Sequence, residues 1–274
     1  MSAGLAGRSV VITGGAGGIG GAIAAAMHGR GARLLLVDVA AEPLRAVGER
    51  LGAETVVADV AVLEGRDRIT ACCDTLGMTP DILVNNAGVE KASEFVRLTP
   101  AEIRHALDVN LVGAMLLTHA LLPAMERRRA GHVITIASMA AIKPVPFNAV
   151  YNTAKAGLVA FSTSLSKELE GSGVHATVIC PTAVRDVGMW ARASDRLTAN
   201  RLVDSSTVTP DAVVAAVLHA VARRPRRVLV GSPLVRAGAL LSALSSHIDR
   251  TTDRLSHIEA VYRERIDTDR DNRL

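Results

Sequence analysis

Short, almost wholly apolar runs alternate with longer amphipathic stretches along the 274 residues of this chain. Ser9–Thr13 (SVVIT), Arg33–Asp38 (RLLLVD), Glu54–Val60 (ETVVADV), Asp81–Asn85 (DILVN), His132–Ala137 (HVITIA), Val174–Cys180 (VHATVIC) and Arg227–Val230 (RVLV) lack the polar alternation of a half-exposed strand. Strands apolar on both faces belong in a parallel sheet covered on each side, so these runs predict a seven-stranded, mostly parallel sheet. Helical periodicity fills the intervals. A small-residue helix runs from about Ile19 to Arg30 and stops at Gly31. Pro43 sits near the start of the next helix, where its missing N–H does no harm. Thr99-Pro100-Ala101-Glu102 has capping-box spacing and opens a long helix, with apolar positions through Met125 and an end near Arg128. Another runs from Asn148 to about Glu170, closed by Gly171 or Gly173. Right-handed crossovers then give a doubly wound α/β sheet with helices on both faces.

No Ser/Pro/Gly-rich linker divides the chain, so residues 1–231 are expected to form one domain, with 232–274 a helical extension. In that extension Leu234, Val235, Leu240, Leu241, Leu244 and Ile248 recur at helical spacing. It is expected to pack on the body, cover the substrate or join a subunit interface, with peripheral membrane contact a minor alternative.

Composition narrows the function classes. Hydrophobic residues make up 49% of the chain and aromatics only 2%, so Ala, Val, Leu and Ile must build the core, and disorder is excluded. The net charge is +4, and all but four of the 31 basic residues are arginines. They are scattered among acids apart from Arg223, Arg224, Arg226 and Arg227, and no stripe or recognition motif points to nucleic acid. Cys72, Cys73 and Cys180 have neither metal-ligand nor ordinary disulfide spacing, and the histidines show no metal spacing. Structural thiols, no apolar leader before Ser9 and no run approaching ~18 apolar residues together lead to a cytoplasmic expectation.

The first strand runs directly into Thr13-Gly14-Gly15-Ala16-Gly17-Gly18-Ile19-Gly20. Glycines at Gly14, Gly18 and Gly20 leave a pyrophosphate free to approach the backbone, and the helix starting at Ile19 aims N–H groups and its positive end at the phosphates. The strand-turn-helix context is what a dinucleotide site requires. Asp38 ends the second strand, about 20 residues after Gly18, where a carboxylate accepts both adenosine ribose hydroxyls and repels a 2′-phosphate. No Lys or Arg occupies the turn or the next position, Val39, so NAD(H) is preferred over NADP(H).

Tyr151 and Lys155 share a helix face at i, i+4. The ammonium favours the phenolate and draws the phenol's pKa down from about 10, which suits Tyr151 to exchange a proton with an alcohol or carbonyl oxygen. Ser138 follows the fifth strand at the carboxyl edge of the sheet, where its hydroxyl can hold that oxygen.

With these motifs in order, the chain resembles the short-chain dehydrogenase/reductase family over about residues 7–231. The shared stretches are Thr13–Gly20, Asp59-Val60, Asn85-Asn86-Ala87-Gly88, Asn110, Ser138 and the Tyr151/Lys155 pair. The resemblance implies a Rossmann-like fold in which Asp59 and Val60 flank the adenine while Asn86, Ala87 and Gly88 line the cofactor. It implies that Asn110 holds a water linking Lys155 to solvent, and that Lys155 also bonds the nicotinamide ribose. The cofactor would further touch Pro181, Thr182 and Val184. The family usually shows Pro-Gly and then a Thr there; this chain has Thr182 in place of the glycine and Asp186 where that threonine often stands.

Residues 187–206 are expected to cover the substrate, with Met189, Trp190 and Leu197 available for contact, and Pro144, Val145, Pro146 and Phe147 to form a further wall. A mostly apolar pocket follows. The expected activity is NAD(H)-linked oxidation or reduction at the alcohol/carbonyl carbon of a small-to-medium substrate such as a steroid, terpenoid or lipid-derived alcohol. The alternatives are a ketoacyl-thioester reductase and a catalytically silent NAD-binding scaffold or sensor. The two long helices resemble the family's subunit contacts, so a dimer or tetramer is expected.

Overall fold

The computed structural model describes residues 4–188, 206–256 and 258–271. Strands β1 (Ser9–Thr13), β2 (Arg33–Asp38), β3 (Glu54–Val57), β4 (Ile82–Asn85), β5 (Gly131–Ile136), β6 (Val174–Pro181) and β7 (Arg227–Val230) form one sheet in the order β3-β2-β1-β4-β5-β6-β7. Every strand pair is parallel. The chain moves outward from β1 to β3, then returns to place β4 on the other side of β1. That reversal opens a crevice at the carboxyl ends of β1 and β4, where open α/β sheets bind ligands.

Helices α1 (Gly18–His28), α2 (Ala41–Leu51), α3 (Leu63–Thr75), α4 (Pro100–Leu107), α5 (Gly113–Arg127), α6 (Ala149–Glu168) and α7 (Pro210–Arg223) supply the crossovers. Because successive strand residues point to opposite faces, the apolar strands feed two cores. On one face Val10, Ile12, Leu34, Leu36, Ile82, Val84 and Ile134 meet Ile23 and Met27 of α1 and Val217 and Ala220 of α7. On the other face Val11, Leu35, Leu83 and Val133 meet Ile69 of α3, Leu117, Leu121 and Met125 of α5, and Leu165 of α6. Each such fully buried side chain contributes about 1.5–3 kcal/mol relative to exposure.

Several boundaries differ from the sequence expectation. Strand β3 stops at Val57 rather than Val60, because it is a largely exposed edge strand. Beyond it the Asp59 carboxylate accepts the Ala61 N–H at 2.8 Å and turns the chain. Helix α3 escapes the sequence pattern because only Gly65, Arg66, Ile69 and Cys73 of its residues are buried. The stretch read as one helix from Thr99 to about Arg128 opens with the expected capping box at Thr99/Glu102, which contributes about 0.5–2 kcal/mol. It is then interrupted by a π-helical turn, Asp108–Val112.

Taken together, Pro100–Arg127 is long and apolar enough to cross a membrane by length and composition alone, which corrects the expectation that no run approaches that limit. Its Leu117, Leu121 and Met125 are spent on the core of this domain. After β7 the chain forms α8 (Pro233–Leu244), α9 (Ser246–Ser256) and α10 (Ile258–Asp271).

Candidate active site

The glycine turn joins β1 to α1 at the crevice. Gly14 has φ +68°, a left-handed conformation that glycine adopts without strain, and a Cβ there would meet the Asn86 amide nitrogen at 2.8 Å. No side chain caps α1, so its first-turn N–H groups remain for an anionic ligand. Gly20 has a packing role in addition to the open phosphate path expected of it. A Cβ at this position would lie 2.0 Å from the Gly14 carbonyl oxygen, so Gly20 lets α1 pack onto its own turn. Ile19 packs from the start of α1 against the first core.

The end of β4 is tied into the same turn. The Thr13 hydroxyl accepts the backbone N–H groups of Asn86 and Ala87, each at 3.0 Å, and the Asn86 amide donates to the Thr13 carbonyl at 2.9 Å. The sequence placed Thr13 in the turn without a task, because a threonine ending a strand is unremarkable until β4 is known to lie beside β1.

At the end of β2 the Asp38 carboxylate accepts the Ala16 N–H at 3.0 Å and the Ala40 N–H at 3.1 Å. It is thereby held against the glycine turn, with acceptor capacity left on both oxygens. Asp59 and Val60 lie in the loop after β3. The Val60 carbonyl accepts the buried Arg66 guanidinium at 2.8 Å, and Gly113 packs so closely that a Cβ there would come within 2.7 Å of the same oxygen.

The second half of the crevice is built from side chains. Lys155 lies on α6, is 3% exposed, and donates to the carbonyl of Ile136 at the end of β5 at 3.1 Å. Burial pushes its ammonium down to about 8, while Cys180 and Glu90 pull the other way. Its Nζ stands 5.6 Å from the centre of the Tyr151 ring, so the i, i+4 pair does share one face.

Ser138 follows β5 at the same edge. Its Oγ accepts the Ala140 N–H at 3.1 Å, capping the short helix Met139–Ala141 and leaving the hydroxyl proton to give. Asn110 sits inside the π-helical turn, almost fully buried. Its amide nitrogen donates to the Val89 and Ala106 carbonyls, both at 2.8 Å, and its oxygen accepts the Val89 N–H at 3.2 Å. The side chain therefore fastens the loop after β4 to the helix behind it.

Gly88 lies in the gap between these groups. A Cβ there would meet the Asn110 oxygen at 2.8 Å and the Lys155 Nζ at 3.5 Å. A further anchor went unread in the sequence: the Asn148 amide donates to Glu90 at 2.5 Å, joining the start of α6 to the loop after β4. Only contact across 58 positions gives that pair meaning, so no local signal could have found it.

Pro181 closes β6. The Thr182 N–H bonds the Val230 carbonyl at 2.9 Å, whereas its hydroxyl is buried and has no hydrogen-bond partner among the described residues. Val184 is buried and bridges Val208 in parallel. Asp186 adopts φ +69°. Val187 then rests on the glycine turn, so that a Cβ on Gly18 would come within 2.3 Å of the Val187 Cβ. Of the expected cover 187–206, only Val187, Gly188 and Ser206 are described; Met189, Trp190 and Leu197 lie outside the described residues.

The expected wall is held from behind by the last helices. Lys143 pairs with Asp253 of α9 at 2.8 Å and Asp249 at 3.4 Å and also bonds Thr252, while the Arg263 guanidinium of α10 stands 5.1 Å from the centre of the Phe147 ring.

A buried hydroxyl with no partner among the described residues, a carboxylate anchored on a glycine turn and uncapped helix N–H groups fit the amide, ribose and phosphate groups of a nicotinamide dinucleotide. A Tyr–Lys pair and a serine beside the same crevice can exchange a proton with an oxygen at the nicotinamide end. This edge makes chemical sense in the dinucleotide-dependent oxidoreductases of Rossmann type.

The short chain dehydrogenase family pattern matches residues 8–197, and the chain belongs to that family. It is 32% identical over 265 residues to the ketoacyl reductase HetN of a Nostoc species, covering 94% of this chain and 89% of that protein. It is 30% identical to dehydrogenase/reductase SDR family member 7B of Bos taurus, covering 86% and 77% respectively. Among solved structures, L-sorbose reductase from Gluconobacter frateurii, complexed with NADPH and L-sorbose, superposes with a TM-score of 0.76 at 25% identity, covering 86% of this chain and 99% of that one. The 3-oxoacyl-[acyl-carrier protein] reductase of Brucella melitensis gives a TM-score of 0.72 at 25% identity, with 84% and 91% covered.

Proposed function

We propose that this oxidoreductase uses NAD(H) in preference to NADP(H) to interconvert an alcohol and a carbonyl on a small-to-medium apolar substrate, of the steroid, terpenoid or lipid-derived kind. The observation that carries the reading is the buried Lys155 beside Tyr151, anchored on the last carbonyl of β5 two residues before Ser138. The cofactor supplies or takes the hydride when bound.

In reduction, the Ser138 hydroxyl donates to the substrate oxygen and holds it, and the Tyr151 hydroxyl passes its proton to that oxygen. In the reverse direction the Tyr151 oxygen receives the proton. Lys155 holds its ammonium beside the phenol and stabilises negative charge there. Asn110, across Gly88 from Lys155, supports a proton path to solvent. Asn86, Ala87 and Gly88 lie along the cofactor, and Asp59 and Val60 flank the adenine. Thr182 offers the buried hydroxyl to the nicotinamide amide.

Asp38 supports NAD(H). A carboxylate fixed at the end of β2 welcomes ribose hydroxyls and repels a 2′-phosphate, and the neighbouring Val39 is exposed and uncharged. Three free cysteines, two of them buried, support a cytoplasmic setting for the reaction. Self-association is proposed through α5 and α6, where Met115 and Leu116 of α5 remain exposed.

A second reading, reduction of a ketoacyl thioester, is favoured by the likeness to ketoacyl reductase HetN across almost the whole chain. Retention of Ser138, Tyr151, Lys155 and Asn110 weighs against a silent scaffold.

The test is a panel of secondary alcohols, ketones and ketoacyl thioesters with NAD(H) and NADP(H), followed by nicotinamide absorbance. Turnover of apolar ketones with NADH, and a shift toward NADPH in Asp38→Ser, are expected. Thioester reduction alone would move the assignment to the second reading, and no turnover of any substrate despite NADH binding would sink both.

A further inference from the structure

At the other end of the sheet, away from the candidate active site, the amino ends of β4, β5 and β6 and the end of α7 surround a cavity of about 260 Å³. Arg8, Arg129, Arg224, His132 and His175 line it, and no Asp or Glu is among its described lining residues. The parallel register brings these residues together. His132 of β5 stands opposite His175 of β6, with ring centres 6.2 Å apart, while the arginines come from positions just before β1, before β5 and after α7.

The nearby carboxylates are engaged elsewhere. Asp81 accepts the Ser9 N–H at 2.8 Å and faces Arg128 at 3.5 Å, and Glu170 pairs with Arg226. Two of the cavity's guanidiniums are held by neutral acceptors instead. Arg129 donates to the Gly171 carbonyl at 3.0 Å, and Arg224 lies 3.0 Å from the His175 Nε2. Each guanidinium has five N–H donors, so most of them remain for a ligand.

The histidines report the same field. His132 is pushed down to about 3, first by burial and then by His175, Arg224 and Arg8; His175 is pushed down by burial and Arg224. At neutral pH the cavity therefore holds three permanent positive charges, two neutral rings and no internal counter-charge. Like charges gathered on one concavity repel, and a bound anion removes that repulsion while accepting forked guanidinium hydrogen bonds. The volume is below the roughly 300–1,000 Å³ of pockets for drug-sized ligands, which suits a compact group.

We propose that this cavity binds a phosphate dianion, either free or as the phosphomonoester of a small metabolite, through Arg8, Arg129 and Arg224.

The experiment uses the full chain saturated with NADH, so that the glycine turn is occupied. Inorganic phosphate is titrated against chloride at matched ionic strength, and the imidazole NMR signals are followed, assigned with His132→Gln and His175→Gln. The expected result is a saturable shift of the His132 and His175 signals and an unfolding temperature raised by about 2–5 °C at saturation. Arg8→Gln with Arg224→Asn, the latter keeping a residue tolerant of φ +55°, is expected to weaken phosphate binding at least tenfold while NADH affinity stays unchanged. Should the double variant fold poorly, Arg8→Gln alone suffices, because Arg8 is exposed. Glycerol phosphate serves as the comparison ligand. Tighter binding than inorganic phosphate identifies a phosphomonoester as the natural occupant, and equal binding identifies free phosphate. Shifts that chloride reproduces, that fail to saturate, or that survive in the variants would overturn the site.

Discussion

The two halves of the crevice work by opposite means. Around β1 and β2 the chain clears space: Gly14, Gly18 and Gly20 are needed for the side chains they lack, and backbone N–H groups face outward. Around β4, β5 and α6 it fills space, and Asn110, Ser138 and Lys155 are each fixed by a hydrogen bond to backbone. Damage to the first half should therefore appear as lost cofactor affinity and lost packing. Damage to the second should appear as lost turnover with the fold intact.

The sharpest separation comes from Tyr151→Phe. Turnover should fall by the ~10²–10⁴-fold that acid–base catalysis supplies, with NADH affinity within a few-fold of the parent in a fluorescence titration. Near-normal turnover would remove Tyr151 from the proton step.

Gly20→Ala attacks the other half. Its methyl group meets the Gly14 carbonyl at 2.0 Å, and relieving the clash moves either the turn or α1. Overpacking of this kind costs about 1–3 kcal/mol, so the unfolding midpoint in denaturant should drop and NADH binding weaken by at least tenfold. An unchanged cofactor dissociation constant would show that the turn is not where the phosphates rest.

Lys155→Met tests the filled half through pH. Below about pH 8 both folded and unfolded chains carry the proton on Lys155, so the burial penalty is felt in full. Between about 8 and the ordinary 10.5 the folded chain gives up this proton before the unfolded chain does, and stability from this group rises with pH. The Met variant should thus unfold at a higher temperature than the parent at pH 7, with the gap closing as pH approaches 10.5, while remaining inactive. A gap that stays constant across that range would contradict the desolvation argument.

The smallest effect is expected at the wall. Lys143→Met removes the ion pairs to Asp249 and Asp253, which are partly exposed and worth about 0–1 kcal/mol in total stability. Because the pairs hold the segment before Phe147, a rise of a few-fold in KM with kcat nearly unchanged should follow in steady-state assays. A fall in kcat alone would mean that the wall bears on the chemistry rather than on substrate fit.

Much of this was legible before the fold was known, for different physical reasons. Both-face apolar runs located all seven strands, and the glycine turn and the Tyr151/Lys155 pair are local patterns that survive folding. The structure brings Tyr151, Lys155 and the Asn110–Gly88 gap into one cluster and leaves Asp38 on the neighbouring turn. Other features stayed hidden, the Thr13 and Asn148 anchors among them. The purpose of Gly20 depends on a carbonyl six residues earlier coming back within contact. The π-helical turn at Asn110 does not disturb the apolar rhythm that announced the helix. The basic cavity draws on residues scattered between Arg8 and Arg224, which only the parallel register makes neighbours.

That turn also limits how the chain can change. An α-helix advances roughly 100° per residue, and the wide turn Asp108–Val112 takes up about one residue more than an α-turn, so removing one residue there would restore ordinary winding and leave the downstream helix close to its present phase. Leu117, Leu121 and Met125 would keep their seats against the sheet and α4 its Thr99/Glu102 cap, but the bulge that carries Asn110 and its bonds to Val89 and Ala106 would be lost. The segment stores an extra residue between two helices in compatible phase, so a one-residue deletion there should spare the fold and cost turnover, whereas one within α5 should swing its core side chains off the sheet.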